Sequence, residues 1–235
     1  MMKKLGLSAV VLTAMALPLS TSANSLENVG LGLNYGLFSG PTLELTYPIS
    51  DGLSVRGALS SGMGLSQSDN GAGSEVDYTV ETNGGIHRLV LDYRPMGGNF
   101  FLSAGYAINN FEIKADSSQV TSGQITIGDE TYDSSANLSL NGVVDWDSAP
   151  IVTLGWGHSP AAGWGALFEI GAIFTGSANV TLNGSGTVTS GINVYDVSTD
   201  PTVRAALDAE EKRLKDDLAD FNFLPVLQAG ITYRF

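Results

Sequence analysis

Apolar and polar residues alternate with a period of two in eight separate segments of this 235-residue chain. A period of two puts successive side chains on opposite faces of an extended strand. Each segment therefore predicts a β-strand with one apolar face and one face of small, polar or charged residues. The eight segments are 29–35, 43–47, 53–59, 89–93, 100–108, 152–156, 168–174 and 227–235.

Short and long connections alternate between these segments. Tight turns at 48–52, 95–99 and 159–163 join the second to the third, the fourth to the fifth and the sixth to the seventh segment. Long polar stretches, 66–77, 114–144 and 176–222, fill most of the remaining connections, and only the link near Ser39 and Gly40 is short. This asymmetry is typical of a bacterial outer-membrane barrel, with short periplasmic turns and long extracellular loops.

Aromatic residues concentrate at the ends of the predicted strands. Two bands of aromatic rings are typical of the two interfaces between a membrane and water. The short-turn ends carry Tyr47, Tyr93, Phe100, Trp156, Trp164 and Phe235, and the long-loop ends carry Tyr35, Tyr106, Trp146 and Phe174.

The last segment, from Leu227 to Phe235, ends the chain on an aromatic residue. In lipid a sheet must have no free edge, because every backbone polar group needs a partner within the protein, so this strand is expected to pair with the first. The closing sequence Gly-Ile-Thr-Tyr-Arg-Phe and the strand-and-turn rhythm over residues 28–235 resemble the small eight-stranded outer-membrane proteins, such as the OmpA transmembrane domain, OmpW and opacity proteins. The resemblance implies that Tyr233 and Phe235 form a C-terminal signal read by the barrel-assembly machinery.

The fold class predicted from these features is all-β, an eight-stranded antiparallel transmembrane β-barrel over residues 24–235. Residues 1–23 have the basic, apolar and small-residue regions of a cleaved signal peptide, which predicts export to the bacterial outer membrane. Cleavage would remove two of the 11 basic residues and none of the 24 acidic ones, changing the net charge from −13 to −15. Such a charge argues against binding nucleic acid. The expected partners are outer-membrane lipids and lipopolysaccharide, and the barrel is expected to be a monomer.

Charged residues recur on the polar faces of the strands, which a barrel turns toward its lumen. An eight-stranded barrel holds its own side chains or one small ligand, so buried charges are expected to pair in a lumen ion-pair network. One interpretation is a salt-bridged plug, and the alternative is a gate that lets small ions pass. The predicted members are Glu44, Arg56, Arg88, Asp92, Arg94, Glu169 and Arg234.

The last long loop contains a helical pattern within the otherwise β-type sequence. Apolar residues form a stripe of helical spacing over 203–221, and Asp200 followed by Pro201 is a typical helix start. The sequence therefore predicts an amphipathic helix in the last extracellular loop. Docking on the barrel mouth is favoured over contact with lipid headgroups or with a partner.

Residues for catalysis or metal binding are sparse. The chain has two histidines and no cysteine. His87 shares the parity of the apolar face and His158 lies in a short turn, so neither is placed to serve as a base in the lumen. No enzyme activity, cofactor or metal site is predicted. The favoured function is an integral outer-membrane protein with a structural or loop-mediated binding role. The alternative is a narrow channel, and a lipid-modifying enzyme is the least favoured.

Overall fold

The computed structural model describes residues 29–69, 76–120, 123–134, 137–157 and 162–235. The predicted signal peptide, residues 1–23, and His158 lie outside the described residues. Seventeen strands and one helix are present in the described part of the chain.

Eight strands form a closed antiparallel barrel, which confirms the predicted all-β fold with eight barrel strands. Every strand of the barrel pairs on both edges, and the last pairs with the first, with Gly30 opposite Arg234. All eight predicted segments correspond to these strands. They are β1 (Gly30–Gly36), β2 (Gly40–Ser50), β3 (Leu53–Ser60), β6 (Ile86–Tyr93), β7 (Phe100–Asn109), β12 (Ala149–Trp156), β13 (Gly163–Ile173) and β17 (Leu224–Arg234).

Side chains alternate between the interior and the outer surface of the barrel. In β1 the glycines and Asn34 are buried, whereas Leu31, Leu33 and Tyr35 are exposed. In β2, likewise, Glu44 is buried between the exposed Leu43 and Leu45. The apolar face of each strand therefore points outward, as the period-2 pattern predicts.

The long connections build a second layer of structure at one end of the barrel. Five strands from these connections form a sheet in the order β14-β11-β8-β5-β4, which repeats the order of the barrel strands to which they are joined. This sheet therefore continues one side of the barrel wall. Its strands are β4 (Ser66–Asp69), β5 (Val76–Asn83), β8 (Glu112–Val120), β11 (Ser139–Asp145) and β14 (Asn179–Ser185).

A four-stranded sheet and the helix α1 (Pro201–Asp217) pack together beside this wall. Their shared apolar core contains Val203 and Leu207 of the helix together with Tyr132 and Val188 of the sheet. The sheet has the order β16-β15-β10-β9. Its strands are β9 (Gln124–Ile127), β10 (Glu130–Ser134), β15 (Thr187–Ser190) and β16 (Asn193–Asp196).

The helix begins at the predicted residue, but its first half does not dock on the barrel mouth as predicted. The Asp200 carboxylate caps it by accepting hydrogen bonds from the backbone N–H groups of Thr202 and Val203 at 2.9 and 3.2 Å. The prediction that its stripe docks on the barrel mouth is wrong for the first half of the helix, because Val203 and Leu207 are buried in the core shared with the four-stranded sheet. Only Leu218, at its C-terminal end, packs on the apolar cluster of the barrel mouth.

Candidate functional site: the ionic network in the barrel interior

Arg56 of β3 occupies the centre of the barrel and contacts three carboxylates. Its Nε and Nη2 donate to the two oxygens of Asp92 at 2.9 and 3.0 Å, a two-pronged pairing that fixes the guanidinium plane. Its Nη1 donates to Glu44 at 3.1 Å, and Nη1 and Nη2 donate to the two oxygens of Glu169 at 2.9 and 2.8 Å. Arg56 is 1% exposed, so these contacts replace water almost completely.

Arg88 of β6 is the second cation of the network. Its Nη2 donates to Glu44 at 3.0 Å and to the side-chain oxygen of Gln228, and its Nη1 lies 3.5 Å from Glu169. The Gln228 amide also donates to Glu44 at 3.0 Å and to Glu169. Gln228 therefore links Arg88 to the two acids that Arg88 shares with Arg56.

Two hydroxyl groups complete the shell around the carboxylates. Ser103 of β7 donates to Asp92, and Thr153 of β12 donates to Glu169. The network therefore takes side chains from seven of the eight barrel strands. A buried ion pair gains stability from further hydrogen bonds to its remaining lone pairs, and these hydroxyl groups supply such bonds to Asp92 and Glu169.

The structure brings together five of the seven predicted charged residues: Glu44, Arg56, Arg88, Asp92 and Glu169. The other two, Arg94 and Arg234, lie one layer closer to the short-turn end. The ring of Phe101 separates the layers, with the guanidinium carbons of Arg56 and Arg94 at 5.3 and 5.5 Å from its centroid. Both distances are within the range of a cation–π contact.

Sequence reasoning did not assign Gln228, Ser103, Thr153 or Phe101 to this network. The first three lie on the polar faces of the predicted strands, so parity places them in the lumen, but no charge marks them as members. Phe101 is fully buried. It lies in sequence between Phe100 and Leu102, which are predicted to point outward, so the period of two indicates that Phe101 points into the lumen.

An apolar cluster fills the barrel on the long-loop side of the ionic network. Inward-facing residues of five barrel strands form its base, and these are Ile86, Val90, Ala107, Ala149, Ile151, Ile173, Leu224 and Val226. Three aromatic rings lie above it: Phe111 meets Phe38 edge-to-face and stacks on Trp146, with centroid distances of 5.2 and 6.0 Å. The interior therefore contains an ionic layer and an apolar layer in series.

Trp146 does not belong to the aromatic band predicted at the long-loop ends. It is 9% exposed, stacks on Phe111, and donates its indole N–H to the Phe221 carbonyl at 3.3 Å. Tyr35, Tyr106 and Phe174 of that band are exposed on the outer surface.

At the opposite end the C-terminal aromatics form a small edge-to-face cluster. The Tyr233 ring lies 5.1 Å from the rings of both Trp164 and Phe235. Tyr233 and Phe235 therefore belong to the outer surface at the short-turn end, beside the strand that closes the barrel.

His87 lies on the outward parity of β6, as predicted, and is half-buried. Its Nδ1 accepts a hydrogen bond from the backbone N–H of Ser60 at 3.2 Å. Within the described ranges, no group of three or more His, Cys, Asp or Glu side chains is arranged to hold a metal ion. Among these residues, no helix is both long and apolar enough to cross a lipid bilayer.

Comparisons with known proteins support the fold. Two crystal structures of Acinetobacter baumannii proteins, CarO2 and CarO, match with TM-scores of 0.56 and 0.55. Each is 21% identical to this chain, and each match covers 90% of this chain and all of the other. No family model and no curated protein matches the sequence. The two structures therefore share the barrel fold with this protein.

Proposed function

We propose that this protein is an integral protein of the bacterial outer membrane, with a closed lumen and a folded domain displayed outside the cell. The supporting observation is an apolar belt on the outside of the closed barrel. Each of the eight strands contributes a large apolar side chain that is 50–65% exposed, for example Leu33, Leu45, Leu59, Leu89, Ile108, Val152, Phe168 and Ile231. Soluble monomers rarely expose so large a continuous apolar surface, whereas a membrane barrel requires one.

The orientation follows from the connections. In outer-membrane barrels the short turns face the periplasm and the long loops face the exterior. The five-stranded sheet, the four-stranded sheet and α1 then lie on the extracellular side. A signal peptide at residues 1–23 would supply export, and lipids and lipopolysaccharide would surround the belt.

The role that best fits this architecture is structural or depends on binding by the extracellular domain. Two layers obstruct the lumen, the ionic network around Arg56 and the apolar cluster beneath Phe38. The long connections, in contrast, are built into sheets with an apolar core of their own. A folded domain of this kind presents a defined surface, which a channel does not require.

Three measurements test this proposal. The protein should fractionate with outer membranes, and the detergent-solubilised barrel should change its gel mobility after boiling. In planar bilayers the purified protein should give no stepwise current. A protein that stays in the soluble fraction, or whose apolar belt is buried within a larger soluble assembly, would overturn the assignment.

A narrow channel is the second candidate. The observation that favours it is that the ionic layer consists of groups with several possible partners, such as Arg88 between Glu44 and Glu169. Exchange among such partners could open a path without breaking the barrel. Stepwise openings of the unmodified protein, increased in an Arg56→Ala variant, would decide for the channel.

A further inference from the structure

A cavity of about 440 Å³ opens at the short-turn end of the barrel, below the ionic network. Arg94, which directly follows β6, and Arg234 of β17 line it, and the turn between β2 and β3 forms its opposite side. Ser54 also lines the cavity and is 6% exposed; its hydroxyl makes no hydrogen bond to any described residue.

The inward-facing charged side chains that line the cavity and lie directly above it have a net positive formal charge. The ionic network above the cavity contains two arginines and three carboxylates and has a formal charge of −1. With Arg94 and Arg234 included, the seven inward charged residues have a total charge of +1. The Phe101 ring lies against the Arg94 guanidinium, with 5.5 Å between its centroid and the guanidinium carbon. Of the nine described lining residues, Asp51 is the one acid, and it is exposed on the turn, where solvent screens its charge.

The outer side of the cavity is apolar. Pro48, Ile49 and Leu53 line it, and Ile49, 57% exposed, continues the outward apolar belt to the rim. A ligand in this cavity would therefore meet guanidinium groups on the lumen side and hydrocarbon on the membrane side.

We infer that this cavity is a binding site for a phosphate group. Guanidinium groups match the geometry and charge of phosphate oxygens better than any other side chain. Two sources offer that chemistry at the periplasmic mouth, a free phosphate ion and the headgroup of a phospholipid from the adjoining leaflet, and the apolar rim suits the second. Only the assignment of this mouth to the periplasmic leaflet rests on the proposed function.

Calorimetric titration of the full-length barrel in nonionic maltoside micelles tests the site. The titrants are inorganic phosphate, dihexanoyl phosphatidylglycerol and, as the phosphate-free control, dihexanoylglycerol. The variants Arg94→Gln and Arg234→Gln each remove one guanidinium. We call the two sheets of the long connections, together with α1, the loop domain. Arg204→Gln removes one positive charge from α1 in this domain and is the matched control. Heat-dependent gel mobility verifies that each variant is folded.

We expect the phospholipid to bind at least 10-fold more tightly than dihexanoylglycerol. Each of the two cavity variants should weaken binding at least 10-fold, and Arg204→Gln should leave it unchanged. Saturation by inorganic phosphate alone would assign the site to the free ion. Saturation by the phospholipid alone would assign it to the headgroup. Either result supports a phosphate site.

The inference is overturned if neither phosphate-containing titrant binds, or if binding is the same in the Arg94→Gln, Arg234→Gln and Arg204→Gln proteins. Equal affinity for dihexanoylglycerol would also overturn it. If Arg94→Gln does not fold, Arg234→Gln and Ser54→Ala carry the test. Because the titration uses micelles, it does not depend on where the protein resides in the cell, and fractionation tests that separately.

Discussion

At the scale of single residues, Arg56 holds together charges that would otherwise repel one another. Three carboxylates surround it, all at most 1% exposed, and removing the guanidinium leaves them buried beside one another. Breaking a buried ion pair by removing one partner typically costs about 3–5 kcal/mol. We expect Arg56→Met to lower the free energy of unfolding by about that amount, measured by urea titration in micelles.

Arg213→Met provides the comparison for this measurement. Arg213 pairs with Asp129 at 3.0 Å in the loop domain, where the two side chains are 50% and 91% exposed. An exposed pair contributes about 0–1 kcal/mol. An Arg56→Met loss no greater than that of Arg213→Met would show that the network does not stabilise the barrel.

A second feature at this scale is the close approach of backbone at the long-loop rim. Gly62 has φ +79°, and a Cβ there would lie 1.8 Å from the carbonyl oxygen of Gly84. Gly64 has φ +59°, and a Cβ added to Gly64 would have no atom within 4 Å. Gly64→Ala therefore incurs only the left-handed backbone cost, about 1–2 kcal/mol.

Gly62→Ala adds a steric clash to that cost. We expect it to destabilise the barrel measurably more than Gly64→Ala, in parallel urea titrations monitored by gel mobility. Equal losses in the two variants would mean that the rim can move apart, so that the close approach is not a constraint on the fold.

At the scale of elements, α1 depends on one side chain to begin. The Asp200 carboxylate bonds the backbone N–H groups of Thr202 and Val203, which have no acceptor within the helix. Replacing an N-cap Asp with Ala typically costs about 1 kcal/mol. Asp200→Ala should therefore speed hydrogen exchange of amides in the first turn about fivefold. Asp208→Ala, an exposed change in the middle of α1, should leave those amides unchanged.

Elements show where prediction from sequence succeeds and where it stops. A strand signals its two faces through a period of two, so all eight barrel strands could be predicted. The loop strands carry a weaker sign. Only Val76, Tyr78 and Val80 of β5 alternate with polar residues, whereas β8 and β11 lie in sequence without a regular period and gain their order from pairing with neighbours. The helix start was visible in Asp200 and Pro201, whereas its docking site depends on a sheet that assembles from distant loops.

The same limit applies inside the barrel. Parity assigned Glu44 and Arg56 to the lumen, because each strand alternates regularly. Which groups meet depends on the height at which each strand crosses the interior, and that is a property of the closed sheet rather than of one segment. Gln228 joins Arg88 to two acids for this reason. Trp146, which resembles an interfacial aromatic in sequence, enters the mouth of the barrel instead.

At the scale of the whole molecule, removal of Phe235 can distinguish the folding of the barrel from its delivery to the membrane. This residue is about half exposed, and its described contacts are the edge-to-face ring contact with Tyr233 and one backbone hydrogen bond to Val29. Its loss should therefore leave a barrel that folds in detergent. If Tyr233 and Phe235 are the signal for the assembly machinery, the same change should sharply reduce the amount in the outer membrane.

Phe223→Ala is the matched change, because Phe223 is an equally exposed aromatic at the other end of the closing strand. We expect deletion of Phe235 to lower the outer-membrane level at least fivefold, with Phe223→Ala near the unmodified level and both proteins refolding in vitro. A normal outer-membrane level after the deletion would refute the signal. Loss of refolding in vitro would instead show that Phe235 acts on stability, since the closed sheet would then need its last residue to form.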